Sequence, residues 1–113
     1  MNYDLEERTA KFGEEIIQFC RGVAADHVTR PLISQLVRAA TSIGANYMEA
    51  NQASSKKDFY NKIRISQKEA NETKHWLRML SAVCVDAKDR LRKYWKEAHE
   101  LTLIFAKISK SKN

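Results

Sequence analysis

The segment QLVRAATSIGANYMEA, residues 35–50, decides the fold class of this chain. Its apolar side chains recur at steps of three and four residues, which is the spacing of one face of an α-helix. This apolar row consists of Leu36, Ala40, Ile43, Tyr47 and Ala50. A row of hydrogen-bonding side chains, which we call the polar row, runs beside it and consists of Gln35, Arg38, Ser42, Asn46 and Glu49. The segment therefore predicts an amphipathic helix with an ordered set of polar groups beside its core face.

Apolar rows with helical spacing occur in three other parts of the chain. The first row is Leu5, Thr9, Phe12, Ile16, Phe19 and Val23. The next row after the polar row is Phe59, Ile63, Ser66, Ala70, Thr73, Leu77 and Leu80. The last is Leu91, Tyr94, Ala98, Leu101, Phe105 and Ile108. The middle of the third row is small and weakly polar, so we expect a neighbouring backbone to approach it closely.

Start signals separate these rows into four helices. Thr-Arg-Pro at residues 29–31 begins the second helix, because proline is tolerated in a first turn. Ser55 with Asp58 has the spacing of a capping box and begins the third, while Asp86 and Asp89 mark the start of the fourth. Each helix then has about 20 residues and a length of roughly 30 Å. Short loops between equal helices predict an all-α fold, an antiparallel up-down-up-down four-helix bundle that forms a single domain over residues 1–113.

Composition narrows the possible locations of the chain. No stretch approaches the roughly 18 apolar residues of a membrane-spanning helix. The acidic N-terminus, which includes Met1 and Asn2, has no apolar run behind it and predicts no secretory signal. Cys20 and Cys84 have no partner at metal-ligand or CxxC spacing, which is typical of reduced thiols. These features predict a cytoplasmic protein.

Positive charge is concentrated in the second half of the chain. Residues 1–55 carry five Lys/Arg against seven Asp/Glu, a net charge of −2, whereas residues 56–113 carry fifteen against seven, a net charge of +8. Such an excess can neutralise phosphates of a nucleic acid, and it also fits a surface that is only solubilising. The candidate residues, which we call the basic set, are Lys56, Lys57, Lys62, Arg64, Lys68, Lys74, Arg78, Lys88, Arg90, Arg92, Lys93 and Lys96.

Enzymatic motifs are weak by comparison. Glu72 and His75 form one Glu-x-x-His step, but a di-metal carboxylate site in a helix bundle needs two such steps and two further carboxylates. No histidine is in register with either cysteine, and no glycine-rich phosphate loop is present in the sequence. We therefore predict no catalytic residues, no metal and no cofactor.

Several apolar residues remain after the rows are assigned. They are Ile65, Trp76, Met79, Trp95, Leu103 and Ile104. Some of them can widen the core face of their helix. The remainder would form an exposed patch, so this apolar surplus is predicted to serve as an oligomer interface.

Three readings of the polar row are open: a buried network, a binding surface or a solvated flank. Arg38 can meet Glu69 or Glu72 on the adjacent antiparallel helix, with Ser42 and Asn46 satisfying neighbouring polar atoms. A pair of this kind contributes little net stability but can fix the register of two helices. We favour this structural role over ligand binding.

Residues 35–50, with SSKKDF at 54–59 and KEANET at 68–73, carry a family resemblance. The chain resembles the four-helix-bundle family of 23S rRNA intervening-sequence proteins, to which the accessory variability determinant proteins of diversity-generating retroelements are similar. The resemblance implies a non-enzymatic bundle that assembles as a homopentamer, with a basic surface that engages nucleic acid. The residues that match the family pattern are Arg38, Ser42, Asn46, Glu49, Glu69 and Glu72. The family usually has glycine after the glutamate that ends the second helix, whereas this chain has Ala50.

Two functions follow as hypotheses. The first is an oligomeric, cytoplasmic accessory protein that binds RNA or DNA through the basic faces of the third and fourth helices. The second is a scaffold that binds another protein, in which the apolar surplus drives self-association and the charge is solubilising.

Overall fold

The computed structural model describes residues 3–111 and contains four helices in that range: α1 (Tyr3–Arg21), α2 (Thr29–Asn51), α3 (Lys56–Ser81) and α4 (Lys88–Lys110). One turn of 3-10 helix, Val85–Ala87, precedes α4. No strand occurs among these residues, which confirms the all-α prediction; the alternation of helix directions and the single domain stay predictions. The two residues at each end of the chain lie outside the described range, including Met1 and Asn2 of the acidic N-terminus. Within residues 3–111 no helix is long and apolar enough to cross a membrane.

The core is formed where the four apolar rows meet. Nearly all of their side chains are buried, including the full rows of α2 and of α3 from Ile63 onward. The exceptions lie at the ends: Phe59 and Ile108 are half-buried, and Val23 follows the end of α1 at Arg21, where it packs against the core from the loop. The helical period therefore identifies the core, while the first row extends two residues beyond its helix.

Small residues lie at one contact between α2 and α3 and at one between α1 and α2. The buried Ser66 hydroxyl donates to the carbonyl oxygen of Ile43 at 2.9 Å, so α3 hydrogen-bonds directly to the backbone of α2. Between α1 and α2, Gly44 lies against Thr9, and a Cβ at Gly44 would be 3.1 Å from Thr9 Oγ1. Both contacts need a small residue at the crossing point.

Hydrogen bonds from the backbone to side chains lie in the turn before α2 and at the start of α3. Asp26 accepts hydrogen bonds from the backbone N–H groups of Val28 and Thr29, each at 2.8 Å, and these bonds hold the pKa of its carboxyl below the usual value. Ser55 Oγ accepts from the backbone N–H of Asp58 at 3.1 Å. The sequence predicts the second cap, whereas the role of Asp26, three residues ahead of its helix, emerges only from the loop geometry.

An ion-pair cluster joins α1 to α4, the two helices that touch at few positions. Arg8 binds Glu97 through two hydrogen bonds, of 2.7 and 2.8 Å, and binds Glu100 at 2.6 Å. The bonds to Glu97 raise the pKa of Arg8 despite its partial burial. No motif predicts this cluster, because it depends on how α1 and α4 are rotated toward each other.

Candidate nucleic-acid interface

A groove of about 610 Å³ lies between the last turns of α3 and the first turns of α4. Its lining residues are Leu77, Arg78, Ser81, Lys88, Leu91, Arg92, Trp95 and Lys96. Four of these eight side chains are cationic and none is acidic. We call this feature the basic groove.

Helical spacing explains how the cations of the basic groove come together. Lys88, Arg92 and Lys96 follow one another at steps of four residues, so they lie along one side of α4. Arg78 joins them from α3, where the buried Leu77 packs in the core beside it. The Arg92 guanidinium is 3.7 Å from the Asp89 carboxylate. Both groups are highly exposed, so this weak ion pair leaves most of the positive charge of Arg92 available to a ligand.

Trp95 forms an aromatic wall of the groove. Its side chain is 37% exposed, which is unusual for a tryptophan and leaves part of the ring open to solvent. The ring stacks on His99, with centroids 5.1 Å apart and planes inclined by 15°. Lys74 Nζ lies 3.1 Å from His99 Nδ1 and 5.2 Å from the centroid of the Trp95 ring. These contacts fix the orientation of the indole.

Five members of the basic set lie far from the groove, in the first half of α3. They are Lys56, Lys57, Lys62, Arg64 and Lys68. At 1.5 Å per residue they are separated from Arg78 by about 15 to 33 Å along the helix axis. Lys62 forms an ion pair with Glu49 at 2.8 Å, which raises the pKa of the lysine, and Arg64 donates to Asn61. These five members of the basic set therefore form a surface separate from the basic groove.

The remaining members on α4 face α1. Arg90 lies 4.9 Å from the centroid of the Phe19 ring and donates to the Tyr94 hydroxyl at 3.2 Å. Lys93 lines a second groove, of about 600 Å³, between α1 and α4. That groove also contains the carboxylates of Glu15, Asp89, Glu97 and Glu100, so its charge is mixed. Arg92 and Lys96 lie on the ridge that the two grooves share.

The polar row contacts α3 at its two ends. Arg38 lies 3.2 Å from a carboxylate oxygen of Glu69 and 2.9 Å from one of Glu72, and its Nε donates to Gln35 at 3.4 Å. The hydrogen bond to Glu69 raises the pKa of Arg38. Burial alone would raise the pKa of Glu72, but its contacts to Arg38 outweigh burial and hold that pKa below the usual value. At the other end, Glu49 pairs with Lys62.

The middle of the polar row bonds to its own helix instead. The Ser42 hydroxyl donates to the carbonyl oxygen of Arg38 at 2.6 Å, and the Asn46 amide donates to that of Ser42 at 2.9 Å. The neighbouring polar atoms that these side chains satisfy are therefore backbone carbonyl oxygens of α2 itself.

The apolar surplus divides by exposure. Trp76 and Ile104 pack against the core, and Ile65 and Met79 are half-buried. Trp95 and Leu103 are exposed, Leu103 by 55%. The two exposed residues lie eight positions apart on α4, on the same side of the helix.

Other reactive groups are held in structural contacts. The Glu72 carboxylate binds Arg38, and the ring of His75 meets Trp76 edge-on. Burial raises the pKa of the Cys20 thiol to about 11 and also raises that of Cys84, so neither thiol is activated at neutral pH. In the described part of the chain no three His, Cys, Asp or Glu side chains form a group that could hold a metal ion.

All four cations of the basic groove belong to the predicted basic set, but charge alone does not separate them from its other members. The steps of four residues between Lys88, Arg92 and Lys96 are the signal that could have done so. Trp95, which the sequence predicts as part of an oligomer interface, lines the basic groove, and its part in assembly stays a prediction.

Comparisons with known proteins support one family. A sequence model for the 23S rRNA-intervening sequence protein family matches residues 1–107. The chain is also similar to a solved structure, a protein of unknown function from the S23 ribosomal protein family of Bacteroides thetaiotaomicron. That similarity has 30% sequence identity and a TM-score of 0.85, and it covers 94% of this chain and 95% of the other. No curated protein matches the chain.

Proposed function

The chain belongs to the 23S rRNA-intervening sequence protein family, and from this premise we propose that it binds nucleic acid through the basic groove. The observation that carries the proposal is the convergence of Arg78, Lys88, Arg92 and Lys96 around one groove with no acidic lining residue. Cations held along a groove neutralise successive phosphates and release their counterions, which is the main source of sequence-independent affinity for nucleic acid.

The proposal extends to the state in which the protein acts. It is a non-enzymatic accessory protein of the cytoplasm, built as an up-down-up-down bundle and assembled as a homopentamer. Repeating one modest groove around a ring raises the overall affinity for a long polyanion without a strong site on any single copy. The kinship with accessory variability determinant proteins, which the sequence resemblance implied, is compatible with the same role.

Fluorescence anisotropy with a labelled single-stranded RNA, repeated at several salt concentrations, tests the groove. Four phosphate contacts predict that log K falls against log salt with a slope of about −3, since each contact on a single strand contributes about −0.7. The double variant Arg78→Ala/Lys96→Ala removes two of these contacts. We expect its slope to be smaller in magnitude by about 1.4 and its affinity at low salt to fall by about tenfold or more.

The double variant Lys57→Ala/Lys68→Ala is the matched control. It also removes two positive charges, both of them on α3 at positions outside the groove. We expect its salt slope to stay within about 0.3 of the wild-type value. Equal losses in both double variants would show that binding is spread over the whole basic set and would overturn the assignment to the groove. Absence of binding at low salt, or binding indifferent to salt, would overturn the nucleic-acid function.

The scaffold function has one observation in its favour, the 55% exposure of Leu103. A large exposed leucine on the same side of α4 as Trp95 is suited to contact another protein. A protein partner that remains bound in a pull-down after nuclease treatment, and is lost from Leu103→Glu, would support the scaffold. Loss of all partners on nuclease treatment would favour the nucleic-acid function instead.

A further inference from the structure

We propose that the basic groove selects single-stranded nucleic acid, by stacking one unpaired base on the face of Trp95 that His99 does not cover. This inference rests on the proposed function and goes further, because phosphate contacts alone do not distinguish a single strand from a duplex. The residue that makes the distinction is Trp95, the aromatic side chain of the groove.

The two faces of the Trp95 ring have different surroundings. His99 follows Trp95 by one helical turn and stacks on one face, with planes only 15° from parallel. Three groove-lining residues of α4 precede Trp95 by about one to two turns and so lie on the side away from His99: Lys88, Leu91 and Arg92. Lys74 Nζ, which lies 5.2 Å from the centroid of the Trp95 ring, is also 3.1 Å from His99 Nδ1, so we assign the face remote from His99 to the groove.

Size and charge suit a nucleotide at this face. The groove volume of about 610 Å³ lies within the range of small-molecule sites and accommodates a base with its sugar. Arg78 and Arg92 lie beside the aromatic wall, where they can bind the phosphates flanking a stacked base. Leu77 and Leu91 give the groove an apolar floor.

A duplex cannot use this arrangement. Its bases are stacked on one another and hide both of their faces, so no base face is free to meet a tryptophan. An unpaired base in a single strand, a loop or a bulge has a free face, and stacking on an aromatic side chain is the general means by which proteins hold such bases. Because every base has such a face, the groove should accept many sequences.

Three labelled probes separate stacking from phosphate binding: an oligouridine of about 12 nucleotides, an abasic strand of the same length, and a duplex RNA of that length. In anisotropy titrations we expect Trp95→Ala to weaken oligouridine binding by about fivefold to a hundredfold. We expect the same variant to leave the affinities for the abasic strand and the duplex unchanged. Trp95→Phe, which keeps an aromatic face, should recover most of the oligouridine affinity.

Intrinsic fluorescence gives a readout that a structural role of Trp95 would not produce. The chain has two tryptophans, so Trp76→Phe leaves Trp95 as the single tryptophan, whose emission can be excited selectively over that of the tyrosines. Oligouridine should quench this emission on binding, whereas the abasic strand should bind with little quenching. Met48→Ala, at an exposed apolar residue of α2 outside the groove, is the control and should change neither quenching nor affinity.

The outcomes distinguish the two levels of the proposal. If oligouridine and the abasic strand bind with equal affinity and Trp95→Ala changes neither, base stacking is wrong while phosphate binding through the groove stands. Tighter binding of the duplex than of oligouridine would likewise overturn the selectivity for single strands. If none of the three probes binds at low salt, the nucleic-acid function itself is wrong.

Discussion

Arg38 joins α2 to α3 through two carboxylates with different surroundings. Glu69 is only 7% exposed, whereas Glu72 is about one-third exposed at its side chain. A buried carboxylate depends on its partner, because without one it must lose its charge or draw in water. The main contribution of Arg38 to stability is therefore to compensate the buried charge of Glu69. Its ion pair with the more exposed Glu72 contributes less.

We expect Arg38→Ala to lower the free energy of unfolding by about 1–2 kcal/mol, measured by urea denaturation at neutral pH. The value lies toward the low end for a broken buried pair because the arginine itself is partly exposed. Arg64→Ala removes an arginine of α3 whose guanidinium donates to the exposed Asn61, and it should cost less than about 0.5 kcal/mol. If Arg38→Ala keeps the wild-type stability and oligomeric state, the structural role of the polar row is wrong.

Acid titration checks that the effect of Arg38 is electrostatic. The pKa of Glu72 is lowered in the folded protein, so its contribution to stability is present above the usual glutamate pKa of about 4.3. This contribution is lost as the pH falls through the lower, folded-state value. The difference in stability between wild type and Arg38→Ala should therefore shrink below about pH 4. A difference that does not change with pH would assign the effect to packing.

The elements of this fold are predictable to the extent that their signals are local. The helical period identifies most of the core of α2 and α3, because burial of one face against the other helices is what stabilises an amphipathic helix. It does not identify Ala39 and Glu69, which are buried but stand outside the rows. The cap at Ser55 is also local. Val23 was wrongly continued from the row of α1, because a period shows which side of a helix is apolar but not where the helix ends.

The crossing of α1 and α2 contains two glycines that differ in the space around them. A Cβ at Gly13 would make ordinary contacts, 3.6 Å from two atoms of Thr41, whereas a Cβ at Gly44 would be 3.1 Å from Thr9 Oγ1. Both glycines are inside helices, where alanine is preferred by up to about 1 kcal/mol. We expect Gly13→Ala to stabilise the protein by about 0.5–1 kcal/mol.

For Gly44→Ala, we expect the same gain in helix propensity to be offset by displacement of Thr9, which is itself buried. Thermal unfolding of the two variants measures how differently the two glycine positions tolerate an added methyl group. An equal rise in Tm for both variants would contradict this expectation, because it would mean that α1 moves away from α2 with no loss of stability.

At the scale of the whole molecule, the sequence predicts the ingredients of the site but not their arrangement. Arg78 and Lys96 are 18 positions apart, and they line one groove only because of the rotation at which α3 and α4 pack. Lys74 is nearer to Arg78 in sequence, yet it is directed toward His99 and Trp95. A helical period fixes which residues of one helix share a face, but it does not fix how two helices are turned toward each other.

Self-association would bring several copies of the basic groove together in one assembly. We expect the wild-type protein to scatter light as an oligomer of five copies of the 13.1 kDa chain. Leu103→Glu should dissociate it, because a charge replaces a large apolar side chain that is 55% exposed in the single chain. The groove variant Arg78→Ala/Lys96→Ala should remain oligomeric, since charge and assembly use different residues.

If grooves act together on one strand, Leu103→Glu should bind long RNA much more weakly but a short oligonucleotide as well as wild type does. A wild-type monomer, or equal losses for long and short RNA, would contradict this account.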